Sequence, residues 1–237
     1  MTQTPASPVS MDDVYVVIPA FNESTVIADV LADVAAVVDR RRVILVDDAS
    51  SDATAAVAHA FGSRVVRHSI NRGQGAALAT GIAYAVRLGA GVIVTFDADG
   101  QHRAADIPLM VKPILDGEVE VVLGSRFLPD SVVEIPPMRR LILKAAVLFT
   151  RVISQINVSD THNGYRALSG NAAQKIRIRQ DRMEHASEIL DEIRARKLSY
   201  VERPVRIQYS QYSLAKGQRN RDAFKLLFRV LLNKVAR

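Results

Sequence analysis

Short β-rich runs alternating with helical stretches predict an α/β fold, a mostly parallel central sheet with helices on both faces. Two further observations support it. The joints between runs are short, and polar clusters stand where the runs stop, reading "PAFNE", "DDAS" and "DADGQH". In open parallel sheets ligands gather at the carboxyl ends of strands, so these clusters are the candidate site.

The elements follow in order. "VYVVI" (14–18) is the first strand, and Pro19, which has no N–H for a ladder, is expected to stop it. "ESTVIADVLADVAAVVDR" places Ile27, Val30, Leu31, Val34 and Val38 at helical spacing. "VILV" (43–46) is a strand, and "SDATAAVAHAF" opens a helix on a Ser/Asp cap. "RVV" (64–66) is followed by "GAALATGIAYAVRLG", a helix stopped at Gly89. "VIVTF" (92–96), a helix over 104–116 and "VEVVLGSR" (119–126) complete the regular half.

The second half is less periodic. "MRRLILKAAVLFTRVISQI" (138–156) is apolar but carries Arg139, Arg140, Lys144 and Arg151. "ASEILDEIRARK" reads as a polar-faced helix, "SYVERPVRIQY" as a strand and "DAFKLLFRVLLNKVAR" as a basic amphipathic helix. The expected division is a disordered tail over 1–12, a single domain over 13–217 and the basic helix over 218–237.

Composition narrows the partners. The 237 residues suffice for one sizeable core, and a net charge of +6 favours an anionic partner. Aromatic residues are 5% with no Trp, a poor supply for stacking on bases, so nucleic acid is not expected. The absence of Cys excludes disulfides and thiolate chemistry and fits a reducing cytoplasm. The first residues lack the pattern of a signal peptide, and no run approaches the roughly 18 apolar residues of a membrane span.

"FDADGQH" carries the most chemistry. In an extended segment Asp97, Asp99 and Gln101 share a face, and three oxygen donors suit a hard divalent cation. Asp and Gly are also ordinary turn residues, so a polar turn closing the strand is the alternative. In "VDDASSD", Asp48 is either a ligand-binding carboxylate or a turn residue, while Asp52 fits a helix cap. The glycines of "NRGQGAA" would let a phosphate or ribose approach the backbone. In "MEHASEIL", Glu184 and Glu188 lie one turn apart, as a candidate general base or as a solvated face. His102 and His162 are too isolated to argue for a histidine metal site.

In their order and spacing, "VVIPAFNE", "ILVDDASSD", "NRGQGAAL", "FDADGQH" and "VLGSRF" resemble family 2 nucleotide-sugar glycosyltransferases, above all the dolichol- and polyprenol-phosphate sugar transferases. The resemblance covers 14–127 well and continues more loosely through "THNGYRALSG" and "VERPVRIQYSQYSLAKGQ". It implies a glycosyltransferase A-type nucleotide-binding fold and inverting, metal-dependent transfer from a UDP- or GDP-sugar to a polyprenyl phosphate. Pro19, Phe21, Glu23, Val46 and Asp48 would cradle the nucleoside. Asp97, Ala98, Asp99 and Gln101 would hold Mg2+ or Mn2+ and the diphosphate, with Asp99 also catalytic. Arg126 and Lys216 would reach anionic oxygens, and Arg139 and Arg140 the acceptor phosphate. A hydroxyl acceptor with Glu188 or Glu184 as base is the alternative, and a non-catalytic nucleotide-sugar-binding subunit is another. Where that group has an Asp-Pro-Thr-Ser-Gly-Phe-Arg-like stretch, this chain has "DTHNGYRALS". The expected location is the inner face of the cell membrane, peripherally bound, alone, as a homodimer or with a separate membrane protein.

Overall fold

The computed structural model describes residues 9–131 and 156–208. The helices expected over 138–156 and 218–237, with Arg139, Arg140 and Lys216, lie outside the described residues.

A seven-stranded sheet carries the fold, in the order β3-β2-β1-β4-β6-β5-β7. Strand β1 (Val14–Ala20) is flanked in parallel by β2 (Val43–Asp47) and β4 (Val92–Thr95). Strand β3 (Arg64–Arg67) lies outside β2. Beyond β4 comes β6 (Arg166–Ser169), antiparallel to both β4 and β5 (Val121–Ser125), and β7 (Tyr200–Pro204) runs parallel to β5. Every strand except β6 therefore points the same way, and the polar clusters gather at one end.

Alternation builds the two layers. Val16, Ile18, Leu45 and Val94 face one core with α1 (Ile27–Ala35), α2 (Thr54–Phe61) and α4 (Ile107–Leu115). Val17, Ile44, Val46 and Ile93 face the other, under α3 (Gln74–Arg87), α5 (Gly170–Lys175) and α6 (His185–Ala195). A strand covered on both faces reads as a continuous apolar run, which is why these segments are easy to find in sequence.

Four expectations are corrected. Strand β1 runs on through Pro19 to Ala20, pairing Pro19 with Val46 and Ala20 with Asp47. Val17 O accepts from Phe96 N, so Val17 faces β4, and two residues on Pro19 faces the same side. The β1–β4 pairing ends at Val17 and Thr95, so no ladder donor is required of Pro19. Helix α1 ends at Ala35, because Asp39 accepts from Arg41 N at 2.8 Å and starts a separate turn. Residues 9–12, placed within the expected tail, are exposed but ordered: Ser10 caps a short turn, and Val9 lies near Gly91. Finally β6, whose "RALS" lacks the β-branched run that marks β3 and β4, was not expected as a strand.

Helix α3 lies close on the sheet through Gly81, where a Cβ would stand 2.3 Å from Val17 Cγ1 and 3.0 Å from Val46 Cγ2. Gly81→Ala gains helix propensity of about 1 kcal/mol but overpacks two stiff β-branched side chains, at a cost of about 1–3 kcal/mol. The variant should be less stable than the parent in urea unfolding; an equal or higher midpoint would show that the helix shifts freely.

Candidate active site

The loops after β1 and β2 are latched together. Ser50 Oγ accepts from Asn22 N at 2.9 Å, and Asn22 Oδ1 accepts from Ser51 N at 2.9 Å. Asp52 accepts from Thr54 N at 2.9 Å and from Ser24 N at 3.1 Å, but the cap position of α2 is Ala53, so Asp52 ties the turn before the helix rather than capping it as expected. Burial opposes its ionisation, but these hydrogen bonds outweigh it and hold the carboxyl well below the usual range. Asn22 and Ala49 both adopt positive φ (55° and 62°), backbone strain that the cross-links sustain.

Above these strand ends lies a cavity of about 370 Å³. Pro19, Ala20, Phe21 and Glu23 line it from β1, Asp48 from β2, and Asp97, Ala98 and Asp99 from β4. Asn71, Gly73, Gln74, Ala77 and Met183 close the remaining side. Seven of the expected residues thus share one cavity, with Phe21 (43% exposed) at its mouth.

Several others do different work. Val46 is fully buried in the core against α3, not at the cavity. Asp48 faces the cavity, but its carboxylate accepts from Arg72 N at 2.9 Å and Gly73 N at 2.6 Å and meets His68 Nδ1 at 2.7 Å. It holds the "NRGQG" loop in place. The expectation that this loop's glycines admit a ligand is also revised. A Cβ on Gly75 would stand 2.0 Å from Gln180 O, and one on Gly73 would stand 2.5 Å from Asp181 O, so the chain's own 180–182 segment takes that space.

The two carboxylates after β4 differ in environment. Asp99 accepts from Gln101 N at 3.0 Å and Gln101 Nε2 at 2.6 Å, so Gln101 orients Asp99. Burial and then the neighbouring Asp97 charge push Asp99 up to about 6. Burial also raises Asp97, but the His102 hydrogen bond and the nearby His102, His185 and Arg166 charges prevail and leave it lowered. Among the described residues no three His, Asp or Glu side chains form a metal cluster. The two carboxylates fit a hard cation that shares its coordination with substrate phosphates and water. The raised Asp99 fits as well, since it is buried beside a second carboxylate.

At the end of β5, Arg126 meets a carboxylate of the chain itself. Its Nε and Nη2 donate to Asp160 at 2.6 and 2.8 Å, with the side chains 11% and 1% exposed. Burial disfavours the charged Asp160, but Arg126 overrides it and the carboxyl stays low. Glu202 of β7 fixes this loop in turn, accepting from Ser159 N at 2.8 Å and Ser159 Oγ at 2.8 Å.

Glu184 is the half-buried cap residue of α6, next to the cavity-lining Met183. Glu188 is buried at 6% exposure, and its Oε2 accepts from Arg179 N at 2.9 Å and Gln180 N at 2.8 Å. It clamps the segment that crosses Gly75 and does not line the cavity, which corrects its reading as a base. Sequence reasoning also missed Gln74, His102 and Gly164, all of which contact Asp97. Gly164 lies in the quoted stretch "THNGYRALSG" and Gln74 in "NRGQGAAL", but nothing in either marked the residue as a partner of Asp97.

A doubly covered sheet, a cavity at the carboxyl ends of β1, β2 and β4 and an Asp-x-Asp pair inside it define a glycosyltransferase. The glycosyl transferase family 2 model matches residues 15–177, and the chain belongs to that family. It is 30% identical to a UDP-N-acetylglucosamine–dolichyl-phosphate N-acetylglucosaminyltransferase of Methanococcus voltae, over 94% of this chain and 97% of that one. It is also 30% identical to a polyprenol monophosphomannose synthase of Mycolicibacterium smegmatis, over 68% and 63% of the respective chains. Glucosyl-3-phosphoglycerate synthase of Mycobacterium tuberculosis, solved with Mn2+, uridine diphosphate and phosphoglyceric acid, has the same fold. Its TM-score is 0.71 at 20% identity, over 93% of this chain and 78% of that one.

The clamp role of Glu188 has a direct test. In Glu188→Gln one amide oxygen can still accept both N–H bonds, so activity should stay within a few-fold of the parent, whereas Glu188→Ala should lose activity and stability together. A Gln variant down by the roughly 10²–10⁴-fold of a missing general base, with an unchanged melting temperature, would restore the catalytic reading.

Proposed function

We propose that this chain moves a sugar from a UDP- or GDP-sugar to a polyprenyl (dolichyl-type) phosphate, with inversion at the anomeric carbon. The observation that carries the reading is the crowded Asp97/Asp99 pair on the cavity floor, with Asp99 pushed up to about 6. The names of the two relatives, which share a polyprenyl-type lipid but differ in sugar, support the acceptor class.

In this reading the nucleoside lies against Pro19, Phe21 and Glu23, and the diphosphate extends toward Asp97 and Asp99. Mg2+ or Mn2+ held by that pair would act as a Lewis acid on the departing diphosphate. Gln101 keeps Asp99 turned to the cavity. Asp48 anchors the loop bearing Asn71 and Gly73, shaping the nucleoside wall. The acceptor oxygen attacks the anomeric carbon in line, the bond to the diphosphate breaks, and its electron pair leaves on the diphosphate oxygen. A phosphomonoester's second pKa is about 6, so a lipid phosphate arrives ionised and surrenders no proton. That chemistry needs no general base and agrees with the commitment of Glu188 to backbone N–H groups. Arg126, paired with Asp160 at the β5 end, is a candidate contact for anionic oxygens.

Asp99→Asn should reduce glycolipid formation from a nucleotide sugar and a short polyprenyl phosphate by at least about 10²-fold, the scale of losing a key electrostatic group. Turnover at the parent rate in this variant, with chelator present, would remove the metal from the mechanism.

No helix among the described residues is long and apolar enough to cross a membrane. We place the enzyme on the cytoplasmic membrane surface through the basic segment 218–237, whose cations suit anionic headgroups. Co-sedimentation with liposomes should rise with anionic lipid, fall with salt and drop when 221–237 are deleted. Equal recovery of full-length and truncated protein in the supernatant at low salt would exclude this anchor.

A further inference from the structure

Asp97 is held from three directions by parts of the chain far apart in sequence. Its Oδ1 accepts from Gln74 Nε2 at 3.0 Å, and its Oδ2 meets His102 Nε2 at 3.0 Å. Gly164 packs so closely that a Cβ there would stand 2.7 Å from both carboxylate oxygens. The glycine is itself fixed, since its carbonyl accepts from Thr95 Oγ1 at 2.5 Å.

The His102 ring is equally constrained. It is buried beside Phe96 and Tyr165, with ring centroids 5.4 and 4.9 Å away. Its Nδ1 is buried without a hydrogen-bond partner, so the ring keeps one nitrogen on Asp97 at the expense of the other. A carboxylate can only accept, which assigns the proton to Nε2.

We propose that Gln74, His102 and Gly164 are positioning residues, which hold the Asp97 carboxylate in a single orientation for the cation and diphosphate. The inference rests on the proposed function, because it presumes that Asp97 and Asp99 form the donor site. Gln74 opens α3, His102 follows the Asp-x-Asp turn, and Gly164 precedes β6. Three segments thus set one side chain, as outer-shell partners do at metal sites, where their loss weakens metal affinity by about 10–100-fold.

The test measures Mn2+ binding to the full chain by electron paramagnetic resonance of free Mn2+, with UDP present and GDP in parallel. Gln74→Ala, at a half-buried position, and His102→Leu should each weaken Mn2+ binding by about 10–100-fold. His102→Gln, whose amide nitrogen reaches the place of Nε2, should recover most of that loss. Asp99→Asn serves as the reference, and melting temperatures show whether each variant folds. If Asp99→Asn loses Mn2+ while Gln74→Ala and folded His102→Leu bind as the parent does, the positioning inference is overturned. If the Gln and Leu variants at 102 lose affinity equally, the ring acts by packing and the inference is again overturned. Parent-like binding by Asp99→Asn overturns the donor-site reading itself.

Discussion

The insertion of β6 between β4 and β5 is the contact on which the rest of the site depends. Its antiparallel register sets Thr95 opposite Arg166, and this places Gly164 against Asp97. From the same strand Arg166, buried and pushed down to about 10 by that burial, donates to the carbonyls of Thr161, Asn163 and Ala186. One arginine thereby ties the loop before β6 to the start of α6. Buried guanidinium groups are tolerated only with such partners, so this loop and helix keep one relative arrangement.

The charges are arranged unequally around that junction. Asp160 has a bidentate arginine, Asp52 and Glu188 have backbone N–H donors, and Asp97 has a histidine and an amide. Among the described residues Asp99 accepts hydrogen bonds from Gln101, and it sits beside another carboxylate that raises it. His162 and His185, both held near 4 by burial, add no positive charge at neutral pH. Among the described residues, the carboxylate that most lacks a positive counter-charge is therefore one facing the cavity, the arrangement expected of a site that receives its cation with the substrate.

Much of this was legible in sequence. The parallel strands are apolar without interruption because both faces are covered, and their polar ends mark the site. Asp97 and Asp99 at a shared cavity follow from local spacing. Glu188 was read as a base or as part of a solvated face; neither reading could see its partners, the N–H groups of Arg179 and Gln180, which lie in a loop without any pattern. The glycines of "NRGQG" were rightly read as allowing close approach, but sequence alone does not say what approaches.

By itself, then, the sequence determined the layered α/β architecture, the direction of most strands and the carboxylates at their ends. These follow from periodicity, turn chemistry and side-chain type, which act over a few residues. Only the tertiary structure decided that β6 enters the sheet antiparallel, that Arg126 pairs with Asp160, that Val46 belongs to the core and that Gln74, His102 and Gly164 converge on Asp97. Apart from the His102–Asp97 contact, five residues in span, each of those depends on segments tens of residues apart. A strand without a β-branched run, a lone histidine or a single glycine carries no periodic signal, and its role is set by whatever the packed sheet brings within hydrogen-bond reach.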